Sequence, residues 1–240
     1  MHLQLPKPLH GWRQFAGEVG IIVLGVLIAL AAQQLASTLQ QKGDARDAAQ
    51  AIRGELEINM ARMHSRQAVR GCVDNRLKEL QALIDSAGAG GGAIETPKWV
   101  GRSQFWTMQM SRWDATSQAG RAALIPADEL NLYGAMYSFM SSINSEGVVE
   151  QDAWAQLRAL EHLQRLTPDM AFQLETDVQR ARYINWRMQV WTVQLQELFD
   201  RAHLKAVRND IPASRSACIP MSTPREEAIR KSNSFIGEEP

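Results

Sequence analysis

The sequence predicts an all-α protein in which an N-terminal transmembrane helix runs into a long helix and is followed by an antiparallel helical bundle. Three observations support this fold class. One apolar run lies near the N-terminus, apolar residues elsewhere recur at spacings of three and four, and no segment has a convincing β-strand pattern. With 240 residues, of which 45% are hydrophobic, the chain is long enough to bury the core of one ordinary domain.

The apolar run covers residues 15–35 and predicts a membrane-spanning helix. Residues 19–32 contain no charged or polar side chain. As a helix, about twenty residues cross the roughly 30 Å of hydrocarbon in a bilayer. Residues 1–14 then predict a short cytoplasmic tail, with Trp12 as the interfacial aromatic residue at the membrane surface.

A cleaved signal peptide is the alternative interpretation of the apolar run. The tripeptide Ala29-Leu30-Ala31 matches the small-x-small pattern that signal peptidase recognises. The leader before the run is long, however, and Glu18 lies in a region that is basic in a signal peptide. These two features favour an uncleaved anchor.

Residues 36–204 predict an extramembrane helical domain that begins with one long helix over residues 40–86. Arg66 and Arg70 interrupt its apolar stripe, and Gly71 is a poor helix-interior residue, so we expect a bend or a change of packing face there. If the helix continues from the bilayer, the domain stands on a stalk of about 60 Å. The stripe consists of Ile52, Leu56, Met60 and Met63 before the interruption and Val73, Leu77, Leu80 and Ile84 after it.

Residues 86–93 read SAGAGGGA and predict a flexible linker. A phosphate-binding loop is the other interpretation of a glycine-rich run. No strand is predicted before it, however, and no Lys-Ser or Lys-Thr pair follows it.

Trp99, Trp106 and Trp113 follow at intervals of seven residues, which on a helix places three indole rings on one face. The structural interpretation is a docking face that packs against the long helix. The functional interpretation is an exposed interaction face for a peptide or lipid. A pocket lined by Trp106, Trp113 and Tyr133 would allow the domain to sense a ligand or lipid.

The C-terminal half predicts further amphipathic helices, which bury their apolar faces only against each other and so favour the antiparallel bundle. Pro126 opens the first of them, and its pattern loosens near residues 145–147 before a second run begins. Thr167 and Pro168 form a helix-start signal for the most regular stripe in the chain. Residues 205–240 are rich in proline, serine and charge and predict a poorly ordered tail.

The chain has two cysteines, Cys72 and Cys218, which in a cytosolic protein would be two unrelated buried thiols and in an oxidising compartment could form a disulfide. We favour the disulfide. Such a bridge belongs to an oxidising compartment. Basic residues flank the apolar run almost equally, so charge alone does not orient it. Together with the short N-terminal stub, the cysteine pair favours the bacterial inner membrane with the large domain in the periplasm.

No catalytic, cofactor-binding or metal-binding motif stands out in the sequence. The five histidines do not pair with each other or with a cysteine at metal-ligand spacing. Neither cysteine lies beside a histidine, and Glu55 and Glu57 are typical of a solvated helix face. The formal net charge is zero, which disfavours nucleic-acid binding because no basic excess is present to neutralise phosphates.

Residues 18–34 resemble the N-terminal signature of a family of uncharacterised bacterial single-span membrane proteins, known as a domain of unknown function. The matching positions are Glu18, Gly25, Ile28-Ala29-Leu30 and Gln33-Gln34. Where the family pattern ends in an Asn-Trp-Asn-Glu-like run, this chain has Leu35-Ala36-Ser37. The resemblance implies an uncleaved anchor followed by a long helix, and it implies no catalytic activity.

These features together predict a membrane-anchored periplasmic helical protein that is not an enzyme. We expect it to act in protein–protein interaction or as an accessory or scaffold subunit, with a protein partner or a second copy of itself. The alternative is a ligand- or lipid-sensing helical domain with the tryptophan-lined pocket.

Overall fold

The computed structural model describes residues 12–88, 90–205, 211 and 213–233, and this part of the chain is mostly helical, as predicted. Its α-helices are α1 (Trp12–Ala68), α2 (Arg70–Ser86), α3 (Ser111–Gln118), α4 (Ala127–Leu157), α5 (Pro168–Arg201) and α6 (Arg225–Asn233). Short 3₁₀ helices cover Arg121–Leu124, Arg158–His162 and Ser216–Cys218. Two strands, β1 (Gly92–Ala93) and β2 (Arg165–Leu166), pair in antiparallel orientation.

Helix α1 continues without a break from the apolar run into the helical domain that follows, as predicted. Its apolar part is covered by no other segment of the described chain, and Leu35 is still exposed at the end of the run. Among the described residues, this is the helix that is long and apolar enough to cross a membrane. Residues 12–14 of the predicted tail belong to α1, and residues 1–11 lie outside the described part.

The predicted bend lies at Val69, between the end of α1 and the start of α2. The apolar stripes on the two sides of this break belong to different core clusters. The cluster on the α1 side of the break, the α1 cluster, centres on Ile52, Leu56, Met60, Met63, Tyr133, Met136, Tyr137, Met140, Ile143, Met188, Trp191, Leu195 and Phe199. The cluster on the α2 side, the α2 cluster, centres on Val73, Leu77, Leu80, Trp154, Leu157, Leu160, Leu174, Val178 and Ala181. Both clusters are shared with α4 and α5, the most extensively packed helix pair.

Helix α4 is continuous through residues 145–147, where the apolar pattern of the sequence loosens. Gly147 is buried, and the ring of Phe105 lies so close to its backbone that a β-carbon at Gly147 would clash with it. The weak apolar pattern at this point therefore reflects a close approach of an aromatic ring and not a helix end.

The glycine-rich segment is partly structured where a flexible linker was predicted. Gly92 and Ala93 form β1 and pair with Leu166 and Arg165. Gly91 has φ of +74° and lies against the backbone of Leu166, a conformation that favours glycine. The short sheet joins the glycine-rich segment to the residues that directly precede α5.

Cys72 and Cys218 form the predicted disulfide, with their Cα atoms 4.8 Å apart. The bridge attaches the C-terminal segment to α2, and the fully buried Ala228 of α6 packs with Trp99 and Ile219. Residues 213–233 therefore differ from the predicted poorly ordered tail. Buried Arg76 strengthens the attachment because its guanidinium donates to the backbone carbonyl of Ile219.

Candidate functional site

The three tryptophans predicted to share a helix face do not lie on one helix. Residues 100–110 have no regular secondary structure, and of the three only Trp113 is helical, in α3. Trp99 packs with Ile219 and Ala228, and its indole Nε1 donates a 2.9 Å hydrogen bond to the carbonyl of Ser216. This ring therefore holds the C-terminal segment in place.

Trp106 and Trp113 pack against the α1 cluster from outside. The ring of Trp113 stacks on Tyr137 with ring centroids 4.9 Å apart, and the guanidinium of Arg62 lies 5.8 Å from the Trp106 ring. The two indoles thus cover the core, and together with Trp99 they do not form a continuous interaction face.

The predicted tryptophan-lined pocket gains no support from the geometry. The cavity beside Trp106 measures about 10 Å³, and neither Trp113 nor Tyr133 lines it. Ligand pockets need a few hundred Å³. Tyr133 is fully buried, donates a hydrogen bond to Glu129 and accepts one of 2.7 Å from Arg53.

Glu55 is buried, so its prediction as part of a solvated helix face is wrong. Its carboxylate accepts hydrogen bonds from the backbone N–H of Arg112 at 2.9 Å, the hydroxyl of Ser111 at 3.0 Å and the hydroxyl of Tyr137 at 2.7 Å. Glu55 therefore satisfies the otherwise unpaired N-terminal donors of α3 from another helix. Burial, followed by the hydrogen bond to Glu55, raises the pKa of Tyr137, which keeps this phenol protonated.

A buried polar layer separates the two core clusters at the level of the α1–α2 break. The Arg66 guanidinium donates to a Glu150 carboxylate oxygen at 2.6 Å and to the Asn185 side-chain oxygen at 3.0 Å. Asn185 in turn donates to Asp74 at 2.6 Å. The arginine that interrupts the apolar stripe in the sequence is thus the centre of this layer. A buried arginine requires such partners, and their positions set the register of α1 against α4 and α5.

The exposed side of α5 is the strongest candidate interaction face. Phe172, Tyr183, Trp186 and Val193 are 73%, 54%, 54% and 64% exposed, although large apolar side chains on a helix normally face the core. These residues belong to a line with alternating spacings of four and three, which we call the α5 seam. The α5 seam consists of Phe172, Thr176, Gln179, Tyr183, Trp186, Val190 and Val193.

Arg187 orders the centre of the α5 seam. Its guanidinium donates to Glu146 of α4 at 2.8 Å and lies 5.6 Å from the Tyr183 ring and 4.4 Å from the Trp191 ring. The Tyr183 and Trp186 ring centroids are 5.9 Å apart. Exposed tyrosine, tryptophan and arginine side chains held in a fixed arrangement are the residue types that contribute most to protein–protein binding energy.

Sequence reasoning missed the α5 seam because it assigned one apolar stripe to this helix, the one that is buried. That stripe consists of Leu174, Val178, Ala181, Ile184, Met188, Trp191, Leu195 and Leu198. The structure confirms the burial of all of them except Leu198, which is half-buried. The missed signal was a second line of apolar residues on the same helix. A helix with apolar residues on two faces has two surfaces to cover.

The described residues contain no group of three or more His, Cys, Asp or Glu side chains arranged to hold a metal ion. No family model, curated protein or solved structure matches the chain.

Proposed function

We propose that this protein is a membrane-anchored helical scaffold that binds a second copy of itself through the α5 seam. The observation that carries the proposal is the α5 seam, which exposes the large apolar side chains Phe172, Tyr183, Trp186 and Val193 on an otherwise well-packed domain. No catalytic role is part of the proposal.

The exposed apolar part of α1 supports the anchor. Its side chains between Val19 and Leu35 face outward on all sides of the helix, which suits a lipid environment and not an aqueous one. The absence of a break up to Ala68 favours a rigid connection, so that the bundle stands above the bilayer on the same helix.

The Cys72–Cys218 disulfide supports a periplasmic location for the bundle, at the bacterial inner membrane. Disulfides persist in oxidising compartments and are rare in the cytosol. Residues 1–14 would then lie on the cytoplasmic side.

The seam spacing favours a parallel pair of α5 helices. Alternating spacings of four and three correspond to the a and d positions of a two-stranded coiled coil. Two copies anchored in one membrane are related by a two-fold axis along the membrane normal, which places helices that run along this axis parallel to each other. When the seam residues of the two copies pair with each other in this way, Glu175 of one copy and Arg180 of the other occupy the e and g positions beside the seam, which form interhelical ion pairs in coiled coils.

The second flanking pair would bring Arg182 of one copy near Arg187 of the other. The charge of Arg187 is compensated by Glu146 in its own copy, at 2.8 Å, so the repulsion is reduced.

The exposed aromatic and valine side chains of the seam have about 500 Å² of accessible surface per copy, calculated from their exposed fractions. A standard interface buries about 800 Å² per partner, so this area suits an association that is strengthened by confinement in a membrane.

Cross-linking of the full chain in intact membranes tests the proposal. We expect a cross-linked dimer for the wild type and its loss for Trp186→Glu, because a carboxylate at the centre of the seam would be buried twice by symmetry. Val148→Glu is the matched control, since Val148 is an equally exposed apolar residue on α4 outside the seam. A wild type that yields only monomer, or a Val148→Glu variant that loses the dimer while Trp186→Glu keeps it, would contradict the proposal. A cross-link exclusively to a different protein would show a hetero-partner in place of a second copy.

A further inference from the structure

We propose that a cleft at the base of the bundle binds the phosphate headgroup of an anionic phospholipid. This inference rests on the membrane anchor of the proposed function and is independent of the α5 seam. The cleft has a volume of about 550 Å³ and lies between α1 and the segment that leads into α4. It is lined by Lys42, Ala45, Arg46, Ala49, Gln50, Arg53, Leu124, Pro126 and Glu129.

The cleft carries two basic side chains that have no acidic partner. Arg53 is neutralised by Glu129, whose carboxylate oxygen lies 2.6 Å from its guanidinium. Lys42 and Arg46 make no ion pair among the described residues, and both are exposed. Their spacing of four residues places them on one side of α1, so that both can contact a single phosphate.

Asp44 and Asp47 are close to these cations in sequence but not on the same side of the helix. At 100° per residue, Asp44 is rotated by about 160° from Lys42, and Asp47 is rotated by about 100° from Arg46. The side of α1 that faces the cleft is therefore positively charged, whereas its other sides are mixed.

The residues below the cleft match the other half of an amphiphile. Leu35 and Leu39 are 63% and 61% exposed and continue the line of Lys42 and Arg46 toward the membrane, at spacings of four, three and four. At 1.5 Å per residue, Lys42 lies about 10 Å beyond Leu35 along the helix, which is close to the outer edge of the headgroup region. An acyl chain that lies along Leu35 and Leu39 therefore carries its phosphate to Lys42 and Arg46.

Native mass spectrometry of the full chain in detergent, with added phosphatidylglycerol or phosphatidylcholine, tests the inference. We expect one phosphatidylglycerol bound per protomer and much less phosphatidylcholine, because a net negative headgroup gains more from two cations than a zwitterionic one. The double variant Lys42→Gln/Arg46→Gln is expected to bind phosphatidylglycerol about 25-fold more weakly, from about a fivefold loss for each cation near a membrane surface. Arg53 stays unchanged because it also bonds Tyr133.

Lys78→Gln/Arg165→Gln is the matched control. It removes the same two charges from exposed positions in α2 and β2, in the part of the domain that lies beyond the α1–α2 break. Circular dichroism and the mass of the disulfide-bonded chain verify that both double variants are folded.

Equal binding of the two lipids, or an equal loss in the control, would overturn the inference. Displacement of phosphatidylglycerol by millimolar inorganic phosphate would overturn the lipid assignment and identify free phosphate as the ligand. An intact mass that lacks the apolar run would overturn the anchor and this inference together. Loss of the dimer in Trp186→Glu with lipid binding retained would leave this inference in place.

Discussion

Replacement of Glu150 by leucine is expected to destabilise the bundle because it leaves the Arg66 guanidinium buried without a counter-charge. The side chains of Arg66 and Glu150 are 6% and 0% exposed, and their N–O distance is 2.6 Å. Removal of one partner from a buried ion pair costs about 3–5 kcal/mol of unfolding free energy. We expect a similar cost for Arg66→Met, which leaves the carboxylate buried alone.

The double variant Arg66→Met/Glu150→Leu removes both charges, so its cost is expected to be smaller than the sum of the two single costs. Two hydrogen bonds are still lost in the double variant. In the wild type, Arg66 donates to the Gln104 backbone carbonyl at 2.5 Å and to the Asn185 side-chain oxygen at 3.0 Å. Each lost buried hydrogen bond costs about 1–3 kcal/mol. The double variant should therefore lose about 3 kcal/mol, against a sum of about 8 kcal/mol for the single variants.

Urea denaturation of the full chain in detergent micelles, followed by tryptophan fluorescence, measures all four proteins of this cycle. The control cycle uses Glu227 and Lys231, whose side chains are also 2.6 Å apart but are exposed. Solvent screens this pair, so we expect no measurable coupling there. If the Arg66 and Glu150 variants are additive within about 0.5 kcal/mol, the argument from burial is wrong.

The double variant Cys72→Ser/Cys218→Ser is expected to lose up to about 5 kcal/mol of stability, because the bridge closes a loop with a sequence separation of 146. Limited proteolysis should then cleave residues 213–233 faster than in the wild type. Unchanged cleavage would contradict this prediction. Asp177→Asn is expected to stabilise the protein at pH 7, because burial raises the pKa of Asp177 and its Oδ2 has no hydrogen-bond partner. Because the pKa of Asp177 is raised in the native state, the wild type loses stability as the pH rises through that pKa. The stability difference between Asp177→Asn and the wild type should therefore shrink as the pH falls toward about 4. Paired urea titrations of the two proteins measure this difference. An advantage that stays constant or grows in acid would refute the assignment.

The helix class, the continuation of α1 beyond the apolar run, the bend near Arg66 and the disulfide were predictable from the sequence. Each rests on a local signal, either the spacing of apolar residues along one helix or the count of cysteines. Arg66 is the clearest case, since a charged residue in an apolar stripe marks a change in the packing whatever its partners are.

The roles of individual side chains were not predictable in this way. The spacing of Trp99, Trp106 and Trp113 fits a helix, but the backbone between residues 100 and 110 is held by contacts with distant residues, such as the hydrogen bonds between Asn59 and Gln109. Glu55 has the local pattern of a solvated carboxylate and is buried because α3 brings its N-terminal donors to it.

The sequence by itself therefore determined where the long helices lie, where a membrane anchor can lie and which cysteines can pair, because these properties depend on neighbours along the chain. The tertiary structure alone decided which of the two apolar faces of α5 is covered. Leu174 and Trp186 are both apolar residues at helical spacing, and only the positions of α2 and α4 bury the first and leave the second exposed. The surface proposed to bind a second copy is for this reason a property of the folded bundle.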